Sequence, residues 1–278
     1  MLKSIRKKIA ELPSELQYRV QRANYIQSLP ALSSDDRIIV DALQKEGVYV
    51  TSLSKLNLAS TAQMLDAARV QLDRMKNLAE PRLSQQGKRL PSIFTVTDLP
   101  EFLIWGQEGR LLGVVENHIG LPAAFQGVHL RQDFASEDQT GTLLWHKDEE
   151  DRRILKIIVY LNDVDREVGP FEYIPKPLTA LYRAEYWRIY AKNQQKRFLG
   201  IDDQEMEQII PRSAWKACLG SAGTVVFVDT KSVFHHGTLR SVDRAALFFV
   251  YTAKHPKHPE LCSQYHDLTF ARPELLKK

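Results

Sequence analysis

The sequence predicts a mainly β fold with added helices: a helical front, then a β-rich back that one helical insertion interrupts. Two observations predict it. From about residue 123, short apolar runs bounded by Gly, Pro, Asp or Asn recur. Six such runs argue for an antiparallel sandwich or barrel. Before that point, apolar residues recur at helical spacing behind capping residues.

The elements follow in order. Residues 4 to 28 have mixed charge and helical spacing, with a break expected at Pro13 and an end before Pro30. "SSDDRIIVDALQKEG" reads as a capped helix, with Ser33 or Ser34 at its start, acids in its first turn and Gly47 as its stop. "VYVTSL" is a short strand. "STAQMLDAARVQLDRMKNLA" is a helix capped by Ser60 or Thr61, after which Pro81, Pro91 and Pro100 punctuate the chain. "PEFLIWGQEGRLLGVVENHIG" reads as one helix ended by Gly120 and Pro122. The strands expected behind it are "GVHLRQDF", "TLLWH", "RILKIIVYL", "GPFEYIP", "GTVVFVD" and "AALFFVYTA". Between them, residues 178 to 210 read as helices placed where a lid could be. The expected organisation is a single domain over 1–278. Residues 1–122 form its mostly helical part, 123–254 its β core with the insertion, and 255–278 a C-terminal tail.

The bulk properties exclude several classes. A net charge of +4 over 278 residues, with no long basic block, is far from a nucleic-acid footprint. Two cysteines, Cys218 and Cys262, make no disulfide framework, so a cytoplasmic protein is expected. The N-terminus lacks the apolar core of a signal peptide, and no stretch reaches the roughly 18 apolar residues of a membrane span.

"WHKDEEDRR" precedes the apolar run "ILKIIVYL". In an extended segment His146 and Asp148 project from one face. They are either two metal ligands or the polar rim of a strand. A third ligand would come from His235 or His236, behind the run Val225 to Val228. Two histidines and one carboxylate leave three positions open on an octahedral ion, as in non-haem Fe(II) oxygenases. Arg244, opening the run "AALFFVY", is expensive inside a barrel unless it meets an anion. The acids Glu149, Glu150 and Asp151 read as a solvated loop.

These stretches carry a resemblance. "WHKDEEDRRILKIIVYLNDVDREVGPFEYIP", "GTVVFVDTKSVFHHG" and "RAALFFVY" resemble the signature regions of the phytanoyl-CoA dioxygenase-like family of Fe(II)- and 2-oxoglutarate-dependent oxygenases. The likeness covers roughly residues 123 to 254. It implies a double-stranded β-helix, that is, a cupin-like jelly-roll with N-terminal and inserted helices. It implies iron held by His146, Asp148 and His235, the histidine directly after the aromatic, with His236 facing outward or lining the rim. It implies 2-oxoglutarate anchored by Arg244, with Thr238, Lys156 and Arg131 as further candidate contacts, and O2 as co-substrate. The implied reaction couples decarboxylation of 2-oxoglutarate to succinate and CO2 with hydroxylation, demethylation or desaturation of a small molecule. Halogenating relatives lack the carboxylate that Asp148 supplies. The chain departs from the family in its "IPKPL" and in a short spacing from the distal histidine to Arg244. The insertion, rich in Tyr, Trp and Arg, is expected to govern the choice of a carboxylate- or zwitterion-bearing metabolite. Two other classes share these residues: a zinc hydrolase with Glu149 as base, which leaves Arg244 without a role, and a non-catalytic jelly-roll binding module.

Overall fold

The structure is a computed structural model that describes residues 2–77, 90–193 and 200–275. Pro81 and part of the insertion lie outside the described residues. In chain order the strands are β1 (Val48–Ser52), β2 (Ser92–Thr95), β3 (Ala123–Asp133), β4 (Leu155–Tyr160), β5 (Phe171–Ile174), β6 (Lys216–Cys218), β7 (Thr224–Asp229), β8 (Phe234–Gly237) and β9 (Arg244–Ala253). The helices are α1 (Leu2–Tyr25), α2 (Ser34–Lys45), α3 (Leu53–Leu56), α4 (Thr61–Asn77), α5 (Pro100–Gly106), α6 (Gly109–Ile119), α7 (Lys176–Leu181), α8 (Arg183–Asn193) and α9 (Asp203–Glu207). Among the described residues, no helix is long and apolar enough to cross a membrane.

All strand pairs are antiparallel. They form a larger sheet in the order β1-β7-β4-β9-β3-β2 and a smaller one in the order β6-β5-β8. This is a jelly-roll. The apolar runs of β4 and β7 are nearly unbroken because both faces of the larger sheet are covered. Leu155, Ile157, Val159, Val225 and Phe227 pack against the helical layer with Trp105, Val115 and Met64. The alternate residues Ile158, Tyr160, Val226 and Val228 pack toward the smaller sheet with Phe171 and Tyr173. Each such side chain contributes about 1.5–3 kcal/mol by leaving water. A buried pair, His118 on α6 and Asp229 at the end of β7, 3.0 Å apart, ties the helical layer to the sheet.

Several elements differ from expectation. Pro13 does not break α1; it sits on the exposed side, where water can satisfy the carbonyl that a proline leaves unpaired. "PEFLIWGQEGRLLGVVENHIG" is two helices, interrupted at Gln107 and Glu108. There the sheet comes so close that a Cβ on Gly106 would lie 2.7 Å from the Phe125 ring, and the Tyr251 hydroxyl donates to the Gly106 carbonyl. "TLLWH" is a 3-10 turn over Gly141–Leu143 followed by two single-residue bridges, not a strand. Strands β2 and β6 were not expected. Ser33 caps α2 through Asp36 N–H, as expected.

The described residues of the insertion pack on the outer side of the smaller sheet, away from the position expected of a lid. Tyr186 stacks on Phe234 at 4.2 Å and donates to the Trp145 carbonyl at 2.9 Å. Ile174, Ile201, Met206 and Ile210 complete a separate apolar cluster there.

Two acids expected in a solvated loop are buried, Glu150 at 6% and Asp151 at 2% exposure. The Asp151 carboxylate accepts backbone N–H bonds from Ala253 and Lys257, both at 3.0 Å, and so fixes the C-terminal segment against the loop after His146 and Asp148. Asp151→Ala should cost about 1–3 kcal/mol by leaving these amides unpaired. A lowered urea midpoint at unchanged slope checks this.

Candidate metal centre and anion pocket

His146 and His235 are placed by one backbone bridge. Each donates its N–H to the other's carbonyl at 3.0 Å, which makes them directly opposed residues of an antiparallel ladder with side chains on one face. Their rings lie 4.4 Å apart. The Asp148 N–H donates to the carbonyl of Thr230, the residue after β7. Asp148 Oδ1 then lies 3.8 Å from His146 Nε2 and 3.9 Å from His235 Nε2. The His146 Nδ1–H donates to Leu144 O at 2.6 Å and that of His235 to Val233 O at 3.3 Å, which leaves each Nε2 lone pair facing the carboxylate. Burial lowers the pKa of both imidazoles, that of His235 to about 3, so both are neutral donors. Burial raises the Asp148 carboxyl, but the Lys156 ammonium 2.6 Å away outweighs it and holds the group ionised.

The donor set suits a divalent transition metal. One ligand atom of each of the three residues lies within 4.8 Å of the others. The 3.8 and 3.9 Å separations are below twice a metal–ligand bond of about 2.1 Å, so one ion can bridge the carboxylate to either imidazole.

The His236 ring faces the opposite side and is buried there, not outward, although the residue borders the cavity. It is 1% exposed. Its Nδ1 lies 2.9 Å from Leu143 O, its Nε2 3.1 Å from Glu172 Oε2, and its ring stacks on Trp145 at 3.8 Å. The outer side of this strand is covered, so a polar residue there needs buried partners.

Arg244 meets an anion within the chain. Its Nε and Nη2 donate to Asp133 Oδ2 at 3.3 and 2.9 Å, and its Nη1 to the Gly169 carbonyl at 2.5 Å. Arg240 lies 3.3 Å from the same oxygen, and Arg131 donates to Asp133 Oδ1 at 2.5 Å. Three guanidiniums share one fully buried carboxylate, so three positive charges and one negative leave an excess of two. Burial raises the Asp133 carboxyl, but the arginines outweigh it and hold it well below the usual carboxylate range. A guanidinium has five N–H donors and Arg244 spends three here, so two are left for a further anion. Gly169 takes a left-handed conformation (φ +78°), and a Cβ there would lie 2.7 Å from Arg240 Nε.

The other candidates separate. Thr238 donates its hydroxyl to Pro170 O at 3.3 Å and does not line the cavity. Lys156 stands beside the triad instead of the arginines, its Nζ 2.6 Å from Asp148 Oδ2 and 3.8 Å from Glu150 Oε1. Asp133 escaped the sequence reading. Its signal was the spacing Arg131-x-Asp133, which puts both side chains on one face of β3.

One cavity of about 470 Å³ is lined by His146, Asp148, His235, Lys156, Arg131 and Arg244. Phe171, Ile158 and Phe248 form its apolar floor, and Leu261, Gln264, Tyr265 and Phe270 from the C-terminal segment close it. His129 stacks on Tyr265 at 4.6 Å, and burial lowers its pKa to about 4. No described residue from 178 to 210 lines this cavity.

Solved structures share this architecture. EctD from S. alaskensis with 2-oxoglutarate and 5-hydroxyectoine aligns with TM-score 0.53 and 19% identity, over 80% of this chain and 76% of that one. The non-heme alpha ketoglutarate dependent epimerase SnoN from nogalamycin biosynthesis aligns with TM-score 0.54 and 15% identity, over 88% and 94%. The chain shares their fold. HygX from Streptomyces hygroscopicus, with nickel and 2-oxoglutarate bound, has the same fold at TM-score 0.52 and 15% identity, over 81% and 88%. No protein-family model and no curated protein matches the sequence.

His235→Ala should abolish tight Co(II) binding, whereas His236→Ala should keep it. The second variant should instead lose about 1–3 kcal/mol of stability, because Glu172 is left buried without its partner. Co(II) titration and thermal melting separate the two. A pH effect follows from His129. The unfolded chain protonates this imidazole below about pH 6.5, and the folded chain resists until about pH 4. Stability should therefore fall as pH drops through that window, by about 3 kcal/mol from this group. His129→Gln should flatten the slope in urea titrations at pH 7 and pH 4.5.

Proposed function

We propose that the chain is a single-domain Fe(II)- and 2-oxoglutarate-dependent dioxygenase. It hydroxylates, or oxidatively demethylates or desaturates, a small-molecule metabolite and gives succinate and CO2. One observation carries this: a His146–Asp148–His235 donor set and a cation-rich pocket with free donors on Arg244 line the same cavity. A zinc hydrolase has use for the first and none for the second. The fold is that of solved proteins with 2-oxoglutarate bound.

In this assignment His146, Asp148 and His235 hold Fe(II), which when bound supplies one-electron and O2 chemistry. Arg244, backed by Asp133 and Gly169, takes the distal carboxylate of 2-oxoglutarate. Arg131 adds charge at the same end. Thr238, turned to Pro170, has no part in it, and Lys156 serves the aspartate. The substrate rests against the C-terminal wall of Leu261, Gln264, Tyr265 and Phe270, so that wall, and not the described residues of the 178–210 insertion, sets its choice. The positive charge that Arg131 and Arg244 bring to this cavity suits a carboxylate- or zwitterion-bearing molecule; the Lys147 ammonium lies instead over the Phe234 ring. We assign the cytoplasm as its compartment; Cys218 and Cys262 are both free and buried.

Anaerobically prepared protein with Fe(II) should turn over 2-oxoglutarate to succinate; absence of turnover with Fe(II), together with hydrolysis in the presence of Zn(II), would refute the assignment. Arg244→Ala should raise the 2-oxoglutarate requirement by a factor of about 100 or more, since breaking a buried charge pair costs about 3–5 kcal/mol. It should leave metal binding intact. Wild-type dependence in that variant would move the anchor to Arg131 or Arg240.

A further inference from the structure

We propose that Lys156 is a positioning residue that holds Asp148 to one-oxygen ligation and so keeps a coordination site open. The inference rests on the metal assignment above and adds a role for a residue outside the donor set.

The two oxygens of Asp148 face different partners. Oδ1 faces the imidazoles at 3.8 and 3.9 Å. Oδ2 is buried and lies 2.6 Å from the Lys156 ammonium, its ion-pair partner. The ammonium is itself held in place. Lys156 sits in the middle of the larger sheet, paired with Val228 on β7 and Val250 on β9. Its side chain is 18% exposed, and Glu150 lies on its far side at 3.8 Å. A buried lysine needs such a counter-charge, so the pair is mutually fixed.

The consequence follows from coordination number. Carboxylates bind divalent ions through one oxygen or two. With three protein ligands on six positions, three stay free. The proposed chemistry uses all three, two for a chelating 2-oxoglutarate and one for O2. A second oxygen from Asp148 would take one of them. Lys156 occupies that oxygen, and its strand cannot move away without breaking the ladder.

Mn(II) provides the test, because it reports its bound water through line broadening in 17O-enriched solvent. The Mn(II)-loaded full chain should show three exchangeable waters. Lys156→Met and Lys156→Gln should bind Mn(II) and show two. Both should bind 2-oxoglutarate roughly tenfold or more weakly by calorimetry, because the chelate must first displace a carboxylate oxygen. Lys156→Arg should restore three waters. Three waters in a folded neutral variant, or loss of Mn(II) from it, overturns the positioning role. If the wild-type protein itself binds no Mn(II), the metal assignment fails and this role falls with it. If it binds Mn(II) with only two waters, the metal assignment stands and the role of Lys156 fails.

Discussion

The pair of backbone hydrogen bonds between His146 and His235 is the constraint on which the site depends. It sets two histidines, distant in sequence, opposite each other with their rings on one face. The register is protected from both sides. Phe234 and His236 flank His235 and point the other way, into the cluster of Trp145, Tyr186 and Glu172. A slip of one residue would swap both faces, exposing Phe234 to the cavity and stripping His236 of its partners. The described helices of the insertion thus act on the candidate metal centre from behind: they bury the face that must not turn inward.

How much of this was legible in the sequence depends on where each signal lies. His146-x-Asp148 was legible because spacing two on an extended chain fixes a shared face. The choice between His235 and His236 needed the family pattern, since alternation says only that one of them points inward. The β-rich back was legible from its apolar runs. Strand β6 was not, because three residues carry no pattern. The break between α5 and α6 follows from the close approach of Phe125 and Tyr251, which no local sequence records. Glu150 and Asp151 looked solvated for the same reason. Their partners, Lys156 and the amides of Ala253 and Lys257, arrive from other elements. The insertion was legible as helices, but amphipathic spacing does not say which side of a sheet they cover.

The electrostatics divide the cavity into two ends with different balances. At one end Asp133 is outnumbered by Arg131, Arg240 and Arg244, and the surplus invites a further anion. At the other end Lys156 stands between Asp148 and Glu150, and burial pushes the Glu150 carboxyl up while the ammonium opposes it. Charge there is nearly cancelled until a cation joins the donor set. The two ends therefore differ: the first carries a surplus of positive charge, and the second holds its carboxylates in balance against one ammonium.

The closing wall of the cavity comes from the end of the described chain. Leu261, Gln264, Tyr265 and Phe270 follow every strand in sequence, and Asp151 and the Glu150 carbonyl hold that segment down. The wall lies outside the described strands, so it can part from the cavity without breaking the ladder that places His146 and His235. A local opening of this segment would admit a small molecule while the candidate donor set keeps its geometry.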